Sequence, residues 1–98
     1  MGFFEPKSVR SLRQELLAAH VACGMANKLP PDQQARIAST APREIAAATR
    51  IVAESGKSDV ARAILSQKLT SPPKSCPAGI SWQEIIQAGF DELGDDRG

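Results

Sequence analysis

The sequence is short of the residues that build most catalytic and metal sites. Its 98 residues include one histidine, two cysteines and no tyrosine. His20 and Cys23 lie one helical turn apart and Cys76 is distant, whereas a structural zinc site needs four ligands. As base and nucleophile, His20 and Cys23 lack recognisable oxyanion donors and an orienting group. The sequence therefore predicts a non-enzymatic protein with no cofactor and no metal.

Long hydrophobic runs are missing as well. No segment approaches the roughly 18 apolar residues that a membrane span needs, and Glu5 and Pro6 follow Phe3 and Phe4 where a signal peptide would continue apolar. Two cysteines do not indicate a disulfide scaffold. We expect a cytoplasmic, reduced protein with no membrane partner.

What the sequence does have is helical patterning over most of its length. Ninety-eight residues suit one domain, and no useful strand-type alternation appears. We predict an all-α fold, a small bundle of four or five short helices with an extended Pro-rich connection before the last helix. The predicted segments of the single domain 1–98 are a helix at 5–29, a helix or helix pair at 31–56, a helix at 58–69, the connection at 70–80, a helix at 81–93 and a flexible acidic tail at 94–98.

Prolines and glycines set the expected boundaries. Pro30 ends the first helix, and Pro31 suits the first turn of the next. Pro42 falls inside the second segment, and because an interior proline costs about 3 kcal/mol or more we favour a break there. Gly56 is the expected C′ residue of the helix that precedes it.

The first helix carries an apolar stripe with a 3-4-3-4-3 spacing, which is one face of an amphipathic helix. The stripe consists of Val9, Leu12, Leu16, Ala19, Cys23 and Ala26. These six residues are the predicted contribution of the first helix to the core.

The last helix has the clearest start signal. Ser81 and Glu84 match a capping box, and Ile80 and Ile85 match a hydrophobic staple. The candidate protein-binding residues of its apolar face are Trp82, Ile85, Ile86, Phe90 and Leu93. Three interpretations stay open: the face completes the core, it docks on a partner protein, or it exchanges with a second copy to form a homodimer.

Charge is close to balanced but unevenly distributed. Residues 1–80 carry eleven Lys or Arg against six Asp or Glu, whereas residues 81–98 carry one Arg against five Asp or Glu. Basic residues recur every seven positions from Arg36 to Lys57, and on a continuous helix they would form a basic stripe. A break at Pro42 would interrupt this stripe, and Arg50 is expected to pair with Glu54. The candidate polyanion-binding residues are this repeat and a cluster in the first helix: Arg36, Arg43, Arg50 and Lys57, with Lys7, Arg10 and Arg13.

These observations favour one function and leave a second open. The absence of a catalytic constellation and the exposed-helix option at the C-terminus predict a small protein-binding module, which would be a regulator, adaptor or inhibitor. The alternative is a helical nucleic-acid-binding protein that uses the basic positions.

Overall fold

The computed structural model of the chain describes residues 5–69 and 71–94, except for the side chains of residues 68 and 69. Within these ranges the fold is all-α, as predicted, and contains four α-helices and no strand. The elements are α1 (Lys7–Met25), a short 3₁₀ helix (Ala26–Lys28), α2 (Pro31–Glu54), α3 (Ser58–Leu69) and α4 (Trp82–Glu92). Residues 95–98, which are four of the five residues of the predicted acidic tail at 94–98, lie outside the described residues.

The core lies where α2 meets the other three helices. All six residues of the predicted α1 stripe are buried, so that prediction is confirmed. The remaining buried apolar side chains are Ala41, Ile45, Ala48, Val52, Ala61, Ile64, Leu65, Ile80, Trp82, Ile85 and Ile86. The buried hydroxyl of Thr49 donates to the Ile45 carbonyl at 2.7 Å, so this core polar group has a hydrogen-bond partner.

The expected break at Pro42 is wrong, because α2 runs through it without interruption. Pro42 has no N–H to donate to the carbonyl one turn earlier, which is the origin of its cost in a helix. Ala41 and Ile45, on either side of Pro42, are both buried. Continuing the helix keeps these side chains on one inward face, and the free energy of that burial outweighs the local cost of the proline.

We expect Pro42→Ala to raise the free energy of unfolding by about 1–2 kcal/mol. The alanine restores a helical hydrogen bond, which recovers part of the roughly 3 kcal/mol cost of the proline. The gain is smaller than the full cost because alanine leaves the unfolded chain with more conformational entropy than proline does. Urea denaturation followed by circular dichroism measures the change. Pro31→Ala is the matched control, since a proline in the first turn lacks only an N–H that has no helical partner; equal effects of the two substitutions would contradict this account.

The turn between α2 and α3 has the hydrogen bonds of a Schellman motif, with Gly56 at the C′ position as predicted. Gly56 has a φ of +82°, a conformation that other residues rarely adopt. The Gly56 N–H donates to the Ala53 carbonyl at 3.0 Å and the Lys57 N–H to the Val52 carbonyl at 3.2 Å. The turn therefore ends α2 and lets α3 begin at Ser58.

In the described part of the chain, every helix is too short or too polar to cross a membrane.

Candidate protein-binding surface

The start of α4 has the cap that its sequence predicts. The Glu84 N–H donates to the Ser81 hydroxyl at 3.2 Å, and Ile80 and Ile85 on either side of the cap are both buried. These contacts fix where α4 begins and which of its faces turns inward.

The candidate binding residues of α4 lie in or against the core of their own chain. Trp82, Ile85 and Ile86 are at most 4% exposed, and Phe90 and Leu93 are partly buried against the same core. In this fold the surface that covers them is formed by this chain. A partner would reach Trp82 or Ile86 only if α4 left its place.

His20 joins three parts of the fold. Its ring stands edge-on to Trp82, with the ring centroids 5.2 Å apart and the planes at 88°. Its Nε2 lies 3.0 Å from the Ser71 carbonyl oxygen, which can only accept a hydrogen bond. His20 on α1 thereby contacts both α4 and the segment before it. Among the described residues no cluster of three or more metal-binding side chains occurs.

The basic repeat is only partly aligned by the structure. Arg36, Arg43 and Arg50 are exposed on the continuous helix α2, whereas Lys57 lies beyond its end. The spacing of Arg50 and Glu54 suggests an ion pair, but the Nε of Arg50 donates instead to Glu92 Oε1 of α4 at 3.1 Å. Because the Arg50 side chain is exposed and that of Glu92 is only partly buried, this bridge contributes only about 0–1 kcal/mol.

The basic cluster of the first helix lies on the solvent side of α1. Lys7, Arg10 and Arg13 are all exposed. Arg13 donates through Nε to Glu5 Oε2 at 2.7 Å. One of the three basic side chains is therefore ion-paired within the chain, and all three remain at the surface.

Three of the five large apolar side chains that are exposed in the described part of the chain lie in one row, which was not predicted from the sequence. Leu17, Val21 and Met25 of α1 are 57%, 50% and 53% exposed. Their i, i+4, i+8 spacing places them in a row about 12 Å long on one side of the helix. The signal was present: α1 has more large apolar residues than its buried stripe uses, and the surplus has a helical period of its own.

The apolar row and the basic cluster lie on the same side of α1. Given about 3.6 residues per turn, all six positions fall within roughly a third of the helix circumference, opposite the buried stripe. We call this surface the outer face of α1: Lys7, Arg10, Arg13, Leu17, Val21 and Met25. Its N-terminal half is basic and its C-terminal half is apolar.

Two shallow grooves lie elsewhere on the molecule. One runs between α1 and α2 past Glu15, Glu44 and Ile51, and the other runs between α2 and the segment before α4 past Gln34 and Ile80. Alanine and serine form most of the first lining, and alanine, serine, glycine and proline form most of the second. Neither combines the converging polar groups and large apolar walls that are typical of small-molecule sites.

No protein-family model, curated protein or solved structure matches this chain.

Proposed function

We propose that this chain is a small non-enzymatic protein-binding module, a cytoplasmic regulator, adaptor or inhibitor that binds its partner through the outer face of α1. The observation that carries the proposal is the row of Leu17, Val21 and Met25, each half or more exposed on one helix. Isolated exposed apolar residues are ordinary, but contiguous ones mark interaction sites.

A partner that covers the apolar row of α1 would bury side chains that are half exposed in the free protein. Covering a side chain of this size contributes about 1.5–3 kcal/mol when burial is complete, and about half of each of these three is still in water. The anchors of α4 are already used in the core, so α1 offers the larger apolar surface to a second protein.

The charge of the outer face indicates the chemistry of the partner. Lys7 and Arg10 precede Leu17 along the helix, so a complementary segment has acidic residues beside its apolar ones. An amphipathic helix with that pattern can lie along α1 and bury its apolar side chains against the row. Opposite charges increase the association rate and select the orientation more than they increase affinity.

The test uses two matched sites. A photo-crosslinking residue at Val21, and separately at Ile51, is expressed in the full chain in its host, and the partner captured at Val21 is then purified. Ile51 is 55% exposed but lies on α2. We expect Val21→Asp to weaken direct binding of that partner at least tenfold, which corresponds to about 1.4 kcal/mol, and Ile51→Asp to leave it within about twofold.

Charge supplies a second measurement on the same complex. Arg10→Glu should slow association and reduce its dependence on salt, whereas Arg36→Glu on α2 should change neither. Equal losses in Val21→Asp and Ile51→Asp, or a partner that crosslinks only from Ile51, would remove the outer face of α1 as the binding site.

The alternative function, nucleic-acid binding, has one supporting observation. Because α2 is continuous, Arg36 and Arg43 extend from nearly the same side of one helix. Binding of DNA or RNA through them would weaken steeply as salt rises. A gel-shift measurement at low salt decides it: no shift, or a shift unchanged in a doubly substituted Arg36→Gln, Arg43→Gln protein, counts against this function.

Dimerisation through the last helix is a further proposal on partners. Residues 70–80, as an extended Pro-rich connection, would allow α4 to occupy the same place on a second copy. Analytical ultracentrifugation at rising concentration tests it, and a monomer throughout argues against exchange.

A further inference from the structure

The two cysteines of the chain meet in the fold. Cys23 lies on α1 and is fully buried, while Cys76, 53 positions later, lies in the segment before α4 and is partly buried against the core. Both side chains pack in the same core cluster, close enough that Cys76 raises the pKa of Cys23, and Cys76 Sγ is 3.5 Å from the Ile80 carbonyl oxygen. Both thiols are free.

Contacts of the residues next to the two cysteines show independently that the segment around Cys76 lies against α1 near Cys23. The Ser75 hydroxyl, next to Cys76, donates to the carbonyl of Gly24, next to Cys23, at 3.2 Å. A Cβ placed on Gly24 would lie 3.8 Å from Pro73 Cβ, so the two backbones are close there. With the contact of His20 to the Ser71 carbonyl, the segment is attached to α1 along about one turn of the helix.

We propose that Cys23 and Cys76 are a dithiol site that reacts with a low-molecular-weight disulfide, of which oxidised glutathione is the test case, to form an intramolecular disulfide. In the first step the Cys76 thiolate attacks one sulfur of the reagent, forms a mixed disulfide and releases one thiol. In the second step the Cys23 thiolate attacks Cys76 Sγ, and the second thiol leaves. The protein loses two protons and two electrons, and the reagent is reduced to two thiols.

Burial sets the order of the two steps. Solvent reaches Cys76 but not Cys23. Burial, and then the neighbouring Cys76, raises the pKa of Cys23 from about 9.0 to about 12, so its thiolate is scarce at neutral pH. Cys76 therefore reacts first, and the closing step by Cys23 is the slower one and accelerates as pH rises toward that pKa.

The disulfide would join α1 covalently to the segment that leads into α4. It closes a loop of 53 positions, and long loops give the largest reduction in unfolded-chain entropy. We expect the melting temperature of the oxidised protein to be higher by roughly 10–20 °C, reversibly with dithiothreitol. This inference goes beyond the proposed function and does not depend on it.

The experiment treats the folded full-length protein with oxidised glutathione across a pH series, blocks the remaining thiols with iodoacetamide and measures the intact mass. The expected product is monomeric, lighter by two hydrogen atoms and free of alkylation, and it forms faster at higher pH. A stable mixed disulfide on Cys76, or a disulfide only between two chains, would overturn the proposal.

Two controls separate the fold's contribution from ordinary thiol chemistry. Cys23→Ala should stop at the mixed disulfide on Cys76, whereas Cys76→Ala should stay unmodified because Cys23 is buried. In urea, where the fold no longer holds the thiols together, wild type should give mainly mixed disulfides. An equal yield of the intramolecular product in urea and in native buffer would contradict the role assigned to the fold.

Discussion

Trp82→Ala is expected to lower the free energy of unfolding by about 3–5 kcal/mol, the range for removing a large aromatic side chain from a core. Trp82 is 4% exposed and occupies the first turn of α4, edge-on to His20. The chain has only four Phe or Trp residues, so no other side chain nearby fills a comparable volume. Domains of this size are stable by about 5–15 kcal/mol, and the loss is therefore a large fraction of the total.

Circular dichroism during urea denaturation measures this loss, since the variant no longer has a tryptophan fluorescence signal. Gln83→Ala, which changes the exposed neighbour on the same helix, should change the free energy of unfolding by less than about 0.5 kcal/mol. Trp82→Phe should fall between the two. A Trp82→Ala protein within about 1 kcal/mol of wild type would show that α4 is not docked on its own chain in solution.

Gly89→Val is expected to lower the free energy of unfolding by about 3 kcal/mol, the upper part of the range for overfilling a packed core. A Cβ at this position of α4 would lie 2.9 and 3.0 Å from the two terminal methyl carbons of Leu65 and 3.1 Å from Ile45 Cγ2. Both neighbours are buried and have little space to move. The added helix propensity of a residue with a side chain, about 0.5 kcal/mol for valine over glycine, offsets only a small part.

The same denaturation measurement tests this second substitution, with Gly79→Val as its matched control. A Cβ at Gly79 meets no atom within 4 Å, so that change should be close to neutral. Leu65→Ala opens space beside Gly89, and the double variant should be more stable than the sum of the single losses predicts. Strict additivity would mean that Gly89 and Leu65 are not in contact.

Both substitutions examine the same structural fact, that α4 is part of the core. Trp82 anchors its first turn, and Gly89 allows its close approach to α2 and α3. If both predictions hold, the apolar face of α4 is buried in the core of the protein, whether of its own chain or of a second copy, and a different partner protein must use another surface. The outer face of α1 then offers such a surface, because its apolar row of Leu17, Val21 and Met25 remains in water.

Much of the helical framework was predictable from sequence because its signals are local. The buried stripe from Val9 to Ala26 follows from a spacing that puts six apolar residues on one side of a helix. Ser81 and Glu84 are three residues apart, so the cap at the start of α4 needs nothing from the rest of the chain. Gly56 is similar, since a left-handed C′ position depends on its own backbone.

The sequence-based predictions were wrong at positions where a local preference competes with contacts to distant residues. At Pro42 the local rule predicts a break, but burial of Ala41 and Ile45 keeps α2 whole. At Arg50 the local rule predicts a pair with Glu54, but the docked α4 brings Glu92 within 3.1 Å. In both cases the outcome depends on residues that no short window of sequence contains.

For the candidate binding surfaces too, some properties follow from the local sequence and others only from tertiary contacts. The sequence by itself determined that the chain is helical, where α4 begins, and which residues of α1 and α4 form apolar faces, because these properties depend on residues within about one or two turns. Only the tertiary structure decided that α4 covers its face with its own chain, that Leu17, Val21 and Met25 stay in water, and that Cys23 meets Cys76. The physical reason is that burial is a property of pairs of surfaces, and those surfaces come from distant positions such as His20 and Trp82, which are 62 residues apart.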